Sequence, residues 1–155
     1  MADLKIISIG VPAPDFKIKN QNEKEVTLSE FKGKKVLLSF HPLAWTSVCR
    51  DQMLSLEKNY DIFEKFNTVP LGISVDSVPC KKAWAESMGL KHLQILADFW
   101  PHGTVAKLYE NFIDKLGISG RANILVGKDG NVIWAKVYPI KELPNINEVI
   151  EAIKK

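Results

Sequence analysis

Apolar and polar positions in this chain follow two periods, and the switches between them mark the elements. Val36-Leu37-Leu38-Ser39-Phe40, entered from Gly33-Lys34-Lys35, is a short and nearly continuous apolar run, and residues 68–75 form another. Runs of this length suit strands buried on both faces. Between them Cys49, Met53, Leu56, Tyr60 and Phe63 recur at spacings of four, three, four and three, the stripe of one amphipathic helix. A second helix is predicted from Ser77, with Pro79 in its first turn, through Trp84 to about Met88, where Gly89 supplies the stop. Residues 93–97 read as a short strand, and 103–109 as a short helix with Val105, Leu108 and Tyr109 turned inward. Strands at 122–126 and 132–137 flank Lys128-Asp129-Gly130-Asn131, whose Asp-Gly step signals a hairpin. Residues 144–154 close the chain as a helix with Ile146, Val149, Ile150 and Ile153 on one face.

Strands interleaved with helices, followed by an antiparallel hairpin and a last helix, belong to the α/β class with a central mixed β-sheet flanked by helices. A thioredoxin-like fold has this order. No repeat, low-complexity tract or linker interrupts the 155 residues, so residues 1–155 read as a single domain. Composition agrees: 46% hydrophobic and 25% charged residues exclude a disordered chain. No run approaches the ~18 apolar residues of a bilayer span. Residues 1–10 carry charges but no long apolar stretch, so neither a leader nor a membrane partner is expected, and the expected location is cytoplasmic. The formal charge is only +3, with scattered lysines, so nucleic acid is not expected as a partner either.

The two cysteines, Cys49 and Cys80, stand in no C-x-x-C or zinc-type spacing, and His41, His92 and His102 have no metal spacing. A disulfide framework, a metal site and a thioredoxin-type reductase are therefore set aside. A cysteine in a reducing compartment is ordinarily inert core, so context has to argue for chemistry. It does so at Cys49. If Phe40 ends a strand and Thr46 or Ser47 caps the next helix, Cys49 falls in the first helical turn, where free N–H groups and the helix dipole favour a thiolate. Its place on the apolar stripe turns the sulfur inward. Arginine is scarce in this lysine-rich chain: Arg50 adjoins Cys49, and Arg121 opens a predicted strand with a rigid fork of donors able to hold a thiolate and an oxygen ligand together.

Pro42-Leu43-Ala44-Trp45-Thr46-Ser47-Val48-Cys49 fits P-x-x-x-T-x-x-C, and with it the chain resembles the peroxiredoxins, thiol peroxidases on a thioredoxin-like fold. The resemblance extends from Ala13-Pro14-Asp15-Phe16 through Asp98-Phe99-Trp100-Pro101-His102-Gly103 and Arg121-Ala122-Asn123-Ile124-Leu125-Val126 to the final helix. It is closest to the one-cysteine alkyl hydroperoxide reductase E and bacterioferritin comigratory protein groups. It implies a peroxidatic Cys49, a peroxide oriented by Thr46 and Arg121, and a sulfur shielded from water by Pro42. It also implies reduction of hydrogen peroxide and organic hydroperoxides without metal, haem, flavin or other cofactor, and a homodimer with Pro42 and Trp45 near its interface. Where relatives often carry Glu three residues after the cysteine, this chain has Gln52, from which weaker bracing of the arginine is expected.

Peroxide turns such a thiolate into a sulfenic acid, which needs a second thiol before further oxidation makes it irreversible. Two sources stay open. Cys80 follows Asp76-Ser77-Val78-Pro79 in the first turn of the second helix, a place that itself favours thiolate, and could resolve Cys49 if the helix starts unwind. Otherwise an external thiol reductant, a thioredoxin-like or glutaredoxin-like protein or a small thiol, does the work. His41 is expected to pack over the mouth of the site. Phe99, Trp100 and Tyr109 read as core, with a place at the rim or in a dimer contact as the alternative, and Trp84 is expected in the core. The alternative to an enzyme is a non-enzymatic thioredoxin-fold redox sensor or holdase.

Overall fold

The structure, a computed structural model, describes residues 5–155, so the first four residues of the amino-terminal segment lie outside it. Nine strands and five α-helices follow one another as β1 (Lys17–Asn20), β2 (Glu25–Thr27), β3 (Lys35–Phe40), α1 (Ser47–Lys58), α2 (Tyr60–Lys65), β4 (Thr68–Ser74), α3 (Val78–Met88), β5 (Gln94–Ala97), α4 (Thr104–Leu108), β6 (Phe112–Ile113), β7 (Ile118–Ser119), β8 (Arg121–Val126), β9 (Val132–Tyr138) and α5 (Ile146–Lys154). Seven strands form one sheet in the order β2-β1-β5-β4-β3-β8-β9. Its centre, β3, β4 and β5, is parallel, while β8, β9, β1 and β2 pair antiparallel. Among the described residues no helix is long and apolar enough to cross a membrane.

Alternation along the strands sends side chains to two cores. Leu38, Phe40, Ile73, Leu96 and Ile124 point to the face covered by Tyr109, Val105 and Phe16. Leu37, Ile95 and Leu125 point to the other face, packed under Cys49, Met53, Phe63, Trp84, Val149 and Ile153 from α1, α2, α3 and α5. Each such side chain fully withdrawn from water contributes about 1.5–3 kcal/mol. The inward stripe of α1 lies so close to the sheet that a Cβ on Gly72 of β4 would stand 2.5 Å from Met53 Sδ. Only glycine permits that approach.

β3 and β4 are parallel neighbours in register from Lys35↔Thr68 to Phe40↔Ile73, so the helices that follow them, α1 and α3, start at the same edge of the sheet. The predicted α3 is found with its signals working as read. Ser77 accepts a hydrogen bond from the Cys80 N–H, Pro79 sits in the first turn, and Gly89 closes the helix at φ 67°.

Several expectations are corrected. The single helix over Cys49 to Phe63 is two, α1 and α2, parted at Asn59, whose backbone leaves the helical conformation (φ −103°, ψ 16°) while its N–H and side chain both donate to Ser55 C=O. Leu108 is exposed, since α4 is little more than one turn and buries Val105 and Ala106 instead. Phe99 and Trp100 are exposed, whereas Tyr109 and Trp84 are buried as expected. The edge hairpin of β1 and β2, held by Asn20 Oδ1 accepting from the N–H groups of Asn22 and Lys24, carries too little apolar pattern to announce itself.

Candidate active site

Cys49 is the third residue of α1. The first helical hydrogen bond runs from the Arg50 N–H to Thr46 C=O, so the Cys49 N–H is among the free donors of the helix start. Met53 and Leu56 share its inward stripe, and the cysteine is only 1% exposed.

Arg121, the first residue of β8, reaches the same point from the neighbouring strand. Its Nη1 donates to Cys49 Sγ at 3.4 Å and to Gln52 Oε1 at 2.7 Å, while Nε and Nη2 both donate to Ile140 C=O, at 2.9 and 2.6 Å. A guanidinium has five N–H donors. These contacts engage four, and the second Nη2 proton has no partner among the described residues. Gln52 is itself held, its Nε2 donating to Ser39 Oγ at 2.7 Å and to Phe40 C=O at 3.2 Å. The amide thus braces the arginine through a neutral hydrogen bond, and is itself fixed by the two bonds its Nε2 donates. Arg50, by contrast, is exposed.

The loop between β3 and α1 completes the surroundings. Pro42 is buried, and Trp45 has a positive φ of 67° that turns the chain into the helix. Thr46 does not cap α1 with its side chain. Its hydroxyl donates to Leu43 C=O at 2.8 Å, which leaves its lone pairs free to accept. The loop is pinned from α3's side by Asp76, whose Oδ2 accepts from the Ala44 N–H at 2.8 Å and from Ser74 Oγ at 2.5 Å.

Asp76 also faces Cys80, whose Sγ donates to Oδ1 at 3.7 Å. Burial, and then the Asp76 carboxylate, push the Cys80 thiol up from its ordinary range, so this cysteine is not the ready thiolate that its helical position suggested. His41 is also displaced from its expected role. It is fully buried below the loop, 2.8 Å from the equally buried Lys81, and does not cover the mouth. Sequence reasoning missed Lys81 and Asp76. Lys81 had left a signal: it heads the inward stripe Lys81, Trp84, Ala85, Met88, where an apolar residue belongs.

A central mixed sheet with a buried cysteine at one helix entrance and an arginine brought to it from the adjacent strand is the arrangement of a thioredoxin-like thiol enzyme. Residues 9–135 match the model of the AhpC/TSA family. Alkyl hydroperoxide reductase E of Mycobacterium tuberculosis is 37% identical over 133 residues, covering 85% of this chain and 86% of its own. A peroxiredoxin of Thermoplasma volcanium is 33% identical, covering 96% of this chain and 74% of its own. Among solved structures, the reduced 2-Cys peroxiredoxin of Plasmodium vivax superposes with a TM-score of 0.85 at 32% identity, over 94% of this chain and 80% of that one. The chain belongs to the AhpC/TSA family, the peroxiredoxins, which are thiol-dependent peroxidases.

Proposed function

We propose that this chain reduces hydrogen peroxide and organic hydroperoxides through Cys49. The observation that carries the reading is the 3.4 Å contact between Arg121 Nη1 and Cys49 Sγ in a site sealed from water. A thiolate at Cys49 attacks the terminal peroxide oxygen. An S–O bond forms, the O–O bond breaks, and the charge leaves sulfur for the departing oxygen. The uncommitted Nη2 proton of Arg121 and the Cys49 N–H donate where that charge develops, as an oxyanion hole does. Thr46 Oγ accepts the peroxide's own O–H, and Pro42 walls the sulfur off from bulk water. Because nucleophilicity falls with thiol acidity, much of the acceleration comes from this positioning.

The sulfenic acid is then reduced by an external thiol, which forms a mixed disulfide and releases water. The carboxylate-bound, protonated Cys80 supports that route over direct resolution. Cys80 resolving Cys49 is the second reading, favoured by their places at neighbouring helix starts on one sheet edge. Trp45, Leu43, Phe99 and Trp100 are exposed in the loops at that same edge, which supports a homodimer closing over the site. The unbroken seven-stranded sheet supports a single domain, and the likeness to bacterial alkyl hydroperoxide reductase E supports work in the cytoplasm.

Stopped-flow Trp fluorescence, with Trp45 beside the site as reporter, tests the reaction. The second-order rate with peroxide is expected to exceed that of free cysteine by orders of magnitude and to vanish in Cys49→Ser. A rate no faster than free cysteine overturns the reading. Intact mass after one equivalent of peroxide separates the cycles: a gain of one oxygen supports the external thiol, and a loss of two hydrogens supports Cys80.

A further inference from the structure

Lys81 is the least expected residue in the molecule. It lies on the inward face of α3 with no exposed surface, and its Nζ is 5.5 Å from the Trp84 ring centroid. Its hydrogen-bond partner is His41 Nε2 at 2.8 Å, and His41 is also without exposed surface, its ring 5.3 Å from that of Trp84. His41 Nδ1 faces Ser39 C=O at 3.4 Å, which assigns the ring proton to Nδ1 and leaves Nε2 to accept from the lysine. Among the described residues the ion pairs are all formed by other lysines, so a charged Lys81 has no carboxylate in contact.

The charged groups facing this pair come from every element around it: Asp76 and Cys80 at the start of α3, Cys49 on α1, Asp98 after β5, and Arg121 on β8 beside His41. Most of them are invariant. Asp76 is engaged with Ala44 and Ser74, and Asp98 accepts the N–H groups of Val105 and Ala106 at 2.9 Å. Arg121 is permanently charged, and Cys80 is held as a thiol. Only Cys49 changes charge during the reaction proposed above. Burial lowers Lys81 from 10.5 to about 7, so its proton is near balance at neutral pH and responds to such a change.

We propose that Lys81 and His41 form a buried proton-holding couple that is charged while Cys49 is a thiolate and discharges when Cys49 becomes a sulfenic acid. The inference rests on Cys49 being the peroxidatic residue. Oxidation moves the sulfur's charge to the leaving oxygen, which takes one proton and departs as water or alcohol. With the thiolate gone, the buried ammonium loses its variable counter-charge and releases a proton to solution. The net uptake in the oxidising step is thus less than one, and the couple takes its proton back when the thiolate is regenerated. Lys81 touches neither substrate nor sulfur, so it is a positioning residue acting through its field.

The test counts protons. In the Cys80→Ser background, a pH-indicator dye and the thiolate absorbance near 240 nm are followed together while one equivalent of hydrogen peroxide is added. Dye amplitude is divided by thiolate lost. For a couple whose affinity for protons changes by about one unit, the uptake falls to roughly half a proton near pH 7 and returns to about one on either side. Lys81→Met and His41→Phe are expected to take up about one proton throughout. The dip in the parent protein is itself diagnostic, so a variant that does not fold leaves the proposal falsifiable. One proton per thiolate at every pH overturns the couple while leaving Cys49 in place. If no thiolate is lost to peroxide, the peroxidase reading fails instead, and the couple with it.

Discussion

Cys49 and Cys80 occupy the same local position: each is the third residue of a helix that follows one of two adjacent parallel strands. Their surroundings are opposite. Cys49, buried, meets a guanidinium at 3.4 Å, and Cys80, half-buried, meets a carboxylate at 3.7 Å. The helix dipole favours negative charge at both, although at Cys80 the N–H is already taken by Ser77 Oγ whereas α1 has no side-chain cap. The charged side chain aimed at each sulfur differs in sign, a guanidinium at Cys49 and a carboxylate at Cys80, and at Cys80 burial adds to the carboxylate in pushing the thiol up. Arg121 comes from a strand 72 residues away, and Asp76 from the loop directly before α3.

The largest effect that breaks this contrast is removal of a sulfur. Cys49→Ser abolishes peroxide reduction, whereas Cys80→Ser with an excess of small thiol retains the first, oxidising step, as single-turnover fluorescence will register. Next comes the charge. Arg121→Gln keeps a donor but loses the cation, and the rate with peroxide is expected to fall about 10²–10³-fold, the cost of one such donor in other preorganised sites. Gln52→Leu strips the buried guanidinium of its brace. A stability loss of about 1–3 kcal/mol is expected in denaturant titration, with a smaller rate loss than for Arg121→Gln.

Asp76→Asn tests the other member. Burial still raises the Cys80 thiol, but the carboxylate's share is removed while an oxygen remains for the Ala44 N–H. In a Cys49→Ser background, alkylation of Cys80 at pH 8 is expected to quicken several-fold, and an unchanged rate would show that Asp76 does not hold the thiol back. The smallest effect is on stability against pH. Lys81 is lowered to about 7 in the fold and returns to 10.5 when unfolded, so between these values the unfolded chain binds more protons. Stability therefore rises with pH from about 7. His41, kept neutral by burial, adds a loss of stability as pH falls below 6.5. A thermal midpoint climbing a few degrees from pH 7 to 9, and flattened in Lys81→Met, is the expected result.

How far the sequence reaches is visible in particular elements. α3 was legible because its signals are local: a serine cap worth about 1 kcal/mol, a proline in the first turn and a glycine stop. The central strands were legible because burial on two faces leaves an unbroken apolar run. β1 and β2 were not, since a hairpin at the sheet's edge has one face in water and needs little hydrophobicity. Phe99 and Trp100 misled for the complementary reason. Aromatic residues are read as core, yet these two sit in a loop that the fold leaves exposed.

By itself the sequence determined the family, through the spacing from Pro42 to Cys49 and the later Arg121, and it determined the central strands and the helices that follow them. Tertiary structure decided what each polar group means. It committed the Thr46 hydroxyl proton to Leu43 C=O, held Gln52 between Arg121, Ser39 and Phe40, and buried Lys81 against His41. Periodicity and capping are properties of neighbours along the chain, so they can be read from it. The charge a sulfur feels depends on groups that only sheet pairing and helix packing bring within a few ångströms.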